Sequence, residues 1–204
     1  MEAGLLERIF GGSTGPVLIY GEAGAGKTNI ILEVLREASR KGGRGFYLST
    51  EGAHYAARAS MLEGLDNVLF AEAGSLSEQA RLVSWIIPRA ARPGDIVAID
   101  TINSLYRLEA VDRDEAPHAF TLLGIQMASL YRIARGGVRV IIAGQVHGGG
   151  DEASGMWLAR FWVERIFAVK REEKDRILVP LLPSGTPIPF RITGKGVILT
   201  GGNR

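Results

Sequence analysis

The sequence predicts an α/β fold: a mainly parallel twisted sheet with helices on both faces and a C-terminal antiparallel extension. Three observations carry this expectation. Continuous apolar runs rich in β-branched residues alternate with amphipathic stretches, the pattern of parallel strands buried on both sides. A glycine-rich turn joins the first apolar run to the first helical stretch. Beyond Gly155 the alternation stops, and apolar runs follow one another with only turn residues between them.

The elements follow in order. Val17 to Tyr20 forms a buried strand, and Lys27 to about Ser39 a helix with apolar positions at Ile30, Ile31, Val34 and Leu35. Gly45 to Leu48 and Asn67 to Phe70 form the next two strands. Ser75-Leu76-Ser77-Glu78 has capping-box spacing and opens a helix through Leu82, Val83, Ile86 and Ile87. Pro93-Gly94 breaks the chain before the strand Ile96 to Ile99. A longer helix, about Ala116 to Ala134, leads into Val138 to Ile142. The extension comprises Phe161 to Val169, Ile177 to Leu182, Phe190 to Thr193 and Val197 to Leu199, with Pro183 to Pro187 as one connection.

A chain of 204 residues fits one domain, 1–204, able to bury a core of its own. With no cysteine there is neither a disulfide framework nor a thiolate metal site. His54, His118 and His147 are scattered, so a metal is expected as Mg²⁺ arriving with a nucleotide. No apolar run spans a bilayer and the first residues lack the pattern of a signal peptide, so a soluble, cytoplasmic protein without membrane partners is expected. A formal charge of +2 permits nucleic-acid contact without arguing for it.

The strongest motif is Gly21-Glu22-Ala23-Gly24-Ala25-Gly26-Lys27-Thr28, a match to G-x-x-x-x-G-K-[ST] placed between a strand and a helix. Its glycines let backbone N–H groups face inward and cradle phosphate oxygens at a helix N-terminus. Lys27 bridges the terminal phosphates of ATP and Thr28 offers a hydroxyl to Mg²⁺; Asn29 completes the nucleotide-binding set. Asp100 closes the apolar strand 96–99, where a carboxylate faces the ligand crevice and holds the Mg²⁺ shell. Glu51 and Gln145 end two further strands. Glu51 is either a base that orients the attacking water or a solvated loop carboxylate. Gln145 is either a sensor of the γ-phosphate or an ordinary loop glutamine.

Together these sites resemble the ATPase core of the RecA superfamily, closest to the archaeal RadA/RadB branch and within it most like RadB, over almost the whole chain. Thr50-Glu51-Gly52 with Arg58 resembles a family segment in which the glutamate activates water and the arginine packs on adenine. Asp100 to Glu109 resembles the second ATPase motif, Gln145-Val146-His147 the glutamine switch, and Phe190-Arg191-Ile192-Thr193 with Gly196 the closing strands. The resemblance implies Glu51, Lys27 and Gln145 in catalysis, and an accessory ATPase of homologous recombination and DNA repair with weak hydrolysis. It implies a RadA-type recombinase or other repair protein as partner.

Departures narrow that expectation. About twenty residues precede the P-loop, leaving no room for the helical DNA-binding domain and polymerisation linker of RadA. Phe70-Ala71-Glu72-Ala73 matches the linker motif Phe-x-x-Ala by letters alone, on or beside a core strand. Gly144 replaces the family's asparagine, and the segment Val146 to Ser154 is short where recombinases carry a long DNA-binding loop. Strand exchange is therefore not expected. Weak single-stranded DNA binding is assigned to Arg107 and Arg113 by family position. Arg160, Arg165, Lys170, Arg171, Lys174 and Arg176, interleaved with Trp157, Phe161, Trp162 and Phe167, form a second basic stretch that acidic neighbours nearly neutralise. The alternative is a KaiC-like regulatory ATPase that acts through protein partners, although this chain has Glu51-Gly52 where that group pairs two glutamates.

Overall fold

A computed structural model describes residues 3–145, 156–172 and 175–200. In chain order these form helix α1 (Leu5–Phe10), strand β1 (Val17–Gly21), α2 (Lys27–Arg40), β2 (Gly45–Ser49), a 3₁₀ turn (Gly52–Tyr55) and α3 (Ala56–Ala59). There follow β3 (Val68–Glu72), α4 (Leu76–Arg81), a π-helical turn (Leu82–Ile86), α5 (Ile87–Ala90), β4 (Ile96–Asp100), α6 (Ser104–Glu109) and α7 (Ala116–Arg135). The chain closes with β5 (Arg139–Gln145), α8 (Met156–Arg160), β6 (Arg165–Arg171), β7 (Arg176–Leu182), β8 (Ile188–Thr193) and β9 (Gly196–Leu199).

One sheet holds all of these strands in the order β3-β2-β4-β5-β1-β6-β7-β8-β9. Pairing is parallel from β3 through β6 and antiparallel beyond. The strands alternate cleanly between two cores because successive side chains leave opposite faces. Leu18, Val97, Ile99, Val140 and Ile142 meet Val83, Leu123, Met127 and Leu130 on the face covered by α4 to α7. Val17, Ile19, Ala98, Ile141 and Ala143 meet Ile30, Ile31, Val34 and Leu35 of α2 on the other. The continuous apolar runs exist because both faces are dry.

Four features depart from the expected elements. The segment after Gly155 includes a helix, α8, and the strand there starts at Arg165 rather than Phe161. Trp157 and Phe161 lie on α8 and the turn after it, at 50% and 78% exposure, so they are not core residues of a strand. That strand, β6, pairs parallel with β1, so the antiparallel extension begins only at β7. The helix from Ser75 starts as expected, with Ser75 Oγ accepting from Glu78 N at 3.1 Å. Its π turn then widens the spiral and turns Ile86 outward while Val83 and Ile87 stay buried. Phe70 to Glu72 ends β3, an edge strand of the described sheet rather than a central one.

Candidate functional site

The strand order brings four carboxyl ends side by side, those of β2, β4, β5 and β1. Register aligns Gly21 with Gln145 and Ser49 with Asp100. A crevice at the carboxyl edge of a parallel sheet is where α/β proteins bind ligands. The P-loop leaves β1 there and enters α2.

Two of its glycines are sterically required. A Cβ on Gly21 would lie 2.5 Å from the Val169 carbonyl oxygen of β6. Gly26, at φ 111°, is the N-cap of α2, and a Cβ there would meet Ile192 Cδ1 at 2.9 Å. Among the described residues no side chain caps this end of α2, and no acid stands in its first turn, so its amides are left for an anion. Lys27 is buried at 7% exposure, and its Nζ donates to the carbonyls of Gly21 and Glu22, each at 2.9 Å. Burial lowers the pKa of this amine, while the carboxylates of Asp100 and Glu51 push it back up.

Asp100 sits at the end of β4 with 5% exposure. Its Oδ2 accepts from Thr28 Oγ1 at 2.7 Å and from Tyr47 Oη at 2.8 Å. Burial, and after it the Asp100 charge, drives the Tyr47 phenol far above its ordinary range, so Tyr47 remains a neutral donor. The Tyr47 ring also packs on Tyr55 and Phe70 at centroid distances of 4.8 and 5.5 Å, holding the turn after β2 against the sheet. That turn carries Glu51. Thr50 Oγ1 donates to the Thr101 carbonyl at 2.6 Å and accepts from Thr101 N at 3.0 Å, fixing the end of β2 against the end of β4. Thr101 Oγ1 reaches Glu51 Oε1 at 3.5 Å, and Glu51 itself is exposed to the cleft. Gln145 is held through its backbone. Asn103 Nδ2 donates to its carbonyl and Asn103 Oδ1 accepts from its N–H, both at 3.1 Å.

Lys27, Thr28, Glu51, Asp100, Gln145 and Arg176 share the lining of one cavity of about 260 Å³, beside Ala23, Gly24 and Asn29. A second cavity of about 210 Å³ opens from Thr28, Asn29, Glu51 and Asp100 towards Tyr55 and Arg58. Arg58 Nη2 donates to the Thr193 carbonyl at 2.6 Å, so it is tied to β8 at the rim of this second cavity. The residues fit a magnesium nucleotide on several counts. Thr28 and Asp100 offer the hard oxygen donors that Mg²⁺ takes, and the described residues hold no group of three or more His, Asp or Glu able to cage a metal alone. Asn29 Oδ1 and the Nε atoms of Arg58 and Arg176 are buried without a hydrogen-bond partner among the described residues, leaving polar capacity around the cleft.

Every nucleotide and metal candidate from Gly21 to Asn29, with Glu51, Arg58, Asp100 and Gln145, thus lies at this cleft. The DNA candidates do not. Arg107 is in the last turn of α6, and Arg113 is exposed in the connection between α6 and α7. The basic stretch disperses: Arg160 lies over the Tyr20 ring at 5.6 Å, Arg165 over Phe167 at 5.3 Å, and Arg176 turns to the P-loop. Lys174 and the segment Val146 to Ser154 lie outside the described residues. Tyr47 and Asn103 are residues of this site that the sequence did not single out, and Arg176 is one that the sequence placed only in the basic stretch. Tyr47, a polar-tipped aromatic in an otherwise dry strand, was the one signal available.

A family model of the AAA ATPase domain matches residues 3–141. Curated proteins named DNA repair and recombination protein RadB are similar over most of the chain. That of Methanocaldococcus jannaschii is 32% identical, with 88% of this chain and 90% of the relative covered. The Methanosphaera stadtmanae protein is 28% identical, covering 95% and 92%. One from Methanococcus maripaludis is 31% identical, covering 78% of each.

Proposed function

The chain belongs to the RadB family of DNA repair and recombination proteins, and from that premise we propose that it is a magnesium-dependent, weakly hydrolysing ATPase that assists a RadA-type recombinase. The observation that carries the reading is the convergence of Lys27, Thr28, Asp100, Glu51 and Gln145 from four neighbouring strand ends on one cleft. ATP with Mg²⁺ supplies a phosphoanhydride whose cleavage needs charge balance and a positioned water. Lys27 and the amides opening α2 bind the phosphates. Thr28 and Asp100 share the metal, with Tyr47 orienting the carboxylate by its hydrogen bond. Glu51 orients water and takes up its proton, a role its exposure to the cleft suits. Gln145 answers to the terminal phosphate, and the Asn103 clamp links that response to the start of α6. Arg58 packs on the base.

Because the carrier of the reading is the cleft, the first test is calorimetric titration of MgATP into wild-type protein and Lys27→Ala, followed by multiple-turnover phosphate release. Binding by the wild type alone supports the reading, and equal binding by both removes it. A pull-down with and without ATP then asks whether the recombinase is captured. Partners that exclude it, in a protein that binds no DNA, would favour a KaiC-like regulatory role instead.

A further inference from the structure

Resting on the nucleotide reading above, we propose that Arg176 is a second cationic contact to the bound polyphosphate, delivered in cis from the first strand of the antiparallel extension. Arg176 opens β7 and pairs in register with Phe190 of β8, two strands away from the P-loop strand β1. Its side chain nonetheless reaches the helix end that cradles phosphate. An added Cβ on Gly26 would lie 3.2 Å from Arg176 Cδ and 3.4 Å from its Nε. The residue lines the same cavity as Lys27, Thr28 and Asp100. Its Nε is buried with no hydrogen-bond partner among the described residues, and none of the described ion pairs includes it. A guanidinium brought to a helix N-terminus without a carboxylate meets a local field of its own sign. That arrangement is unfavourable in the protein alone and becomes favourable when an anion enters between the two.

The surroundings assign the ligand class. Lys27 and Arg176 are the cations in the lining of this cavity, which also holds the carboxylates of Asp100 and Glu51. A multiply charged phosphate chain carrying a divalent cation satisfies both sets at once. The planar fork of arginine also suits two phosphate oxygens better than a point charge does. Arg176 is joined to β8 by its pairing with Phe190, and on that strand Ile192 packs against Gly26 and Thr193 accepts from Arg58. Nucleotide binding therefore tightens an existing contact of β7 and β8 with the P-loop, which links the contents of the cleft to the extension.

The experiment measures binding of a non-hydrolysable triphosphate analogue and of ADP, each with Mg²⁺, to wild type, Lys27→Ala, Arg176→Gln and Arg176→Lys. Amide exchange across β7 and β8 is followed with and without analogue. Arg176→Gln is expected to weaken the analogue by roughly ten- to a hundredfold, the scale of losing hydrogen bonds to a charged group. Arg176→Lys should recover part of that loss, melting without nucleotide should not fall, and protection of β7 on binding should disappear in Arg176→Gln. Wild-type affinity in folded Arg176→Gln overturns the proposal while leaving the P-loop reading intact, provided Lys27→Ala has lost binding. Equal binding by wild type and Lys27→Ala overturns both. Should Arg176→Gln fail to fold, Arg176→Lys decides: unchanged affinity and unchanged β7 protection overturn the proposal, and a partial loss of both supports it.

Discussion

Asp100 Oδ2 receives two hydroxyl donors, one from the P-loop helix and one from a neighbouring strand, so a single carboxylate oxygen joins three elements at the site. The ionisable groups around it give opposite pH dependences. Lys27 has a folded-state pKa below that of free lysine, so the unfolded chain binds more protons in the interval between the two values and stability rises with pH there. Tyr47 behaves in reverse. Its folded-state pKa lies far above that of free tyrosine, so the unfolded chain ionises first and stability falls as pH passes about 10. Urea midpoints taken from about pH 9 to 11 should fall less steeply for Tyr47→Phe than for wild type, and equal slopes would show that Tyr47 is not the controlling group. Glu51→Gln is expected to keep nucleotide binding while phosphate release drops on the order of a hundredfold or more. Unaltered turnover would make Glu51 a bystander of the cleft. At this scale Glu51, Asp100 and Gln145 were legible because each stands at or just past the end of an apolar run, and the P-loop by its spacing, whereas Tyr47 and Asn103 act through partners 53 and 42 residues away.

Helix α1 shows why short elements escape pattern reading. Its six residues present Leu5, Leu6, Ile9 and Phe10 to the core, too few turns for a periodicity to emerge. Its first amides are capped from a distance, with Glu37 of α2 accepting from Leu5 N and Leu6 N at 2.9 Å each. A carboxylate at a helix N-terminus is favoured by the unpaired amides there. Helices α6 and α8, each under two turns, are likewise too short for a periodicity to emerge. Where a local cap exists, the start was visible. Ser75→Ala should cost about 1 kcal/mol by chemical denaturation, the loss of an N-cap, and no measurable change would mean that Glu78 or solvent substitutes. Asn103→Ala is a stricter case. Asn103 is fully buried and bonded to both backbone groups of Gln145, so roughly 1 to 3 kcal/mol of destabilisation is expected. A smaller loss would place the hold on Gln145 in the β1 and β5 pairing.

Across the whole molecule, the sheet sorts the chain into the carboxyl edge that carries the P-loop cleft and surfaces remote from it. Arg107 and Arg113 lie on the connection from β4 to α7, near the exposed Leu108 and Val111. If this surface meets DNA, few phosphates are neutralised at once. Anisotropy with labelled single-stranded DNA across a salt series should then give weak binding and a shallow slope, roughly two to four per protomer. Substituting Arg107 and Arg113 together is expected to lower that slope more than substituting Arg176, whose side chain is turned to the P-loop. The reverse order would move the DNA surface to the extension. No helix among the described residues is long and apolar enough to cross a membrane.

The sequence alone determined the α/β alternation, the P-loop, the capped start of α4 and the three acidic or amide positions at strand ends, because these depend on local spacing and on residue chemistry. Only the tertiary structure decided that β6 joins the parallel sheet, and that β5 lies between β1 and β4 so as to set Gln145 beside the P-loop. It likewise turned Arg176 from a basic stretch towards Gly26 at the start of α2. Strand order and long-range pairing are set by which faces pack together across the sheet. That information belongs to contacts between segments far apart in the chain, and no local window contains it.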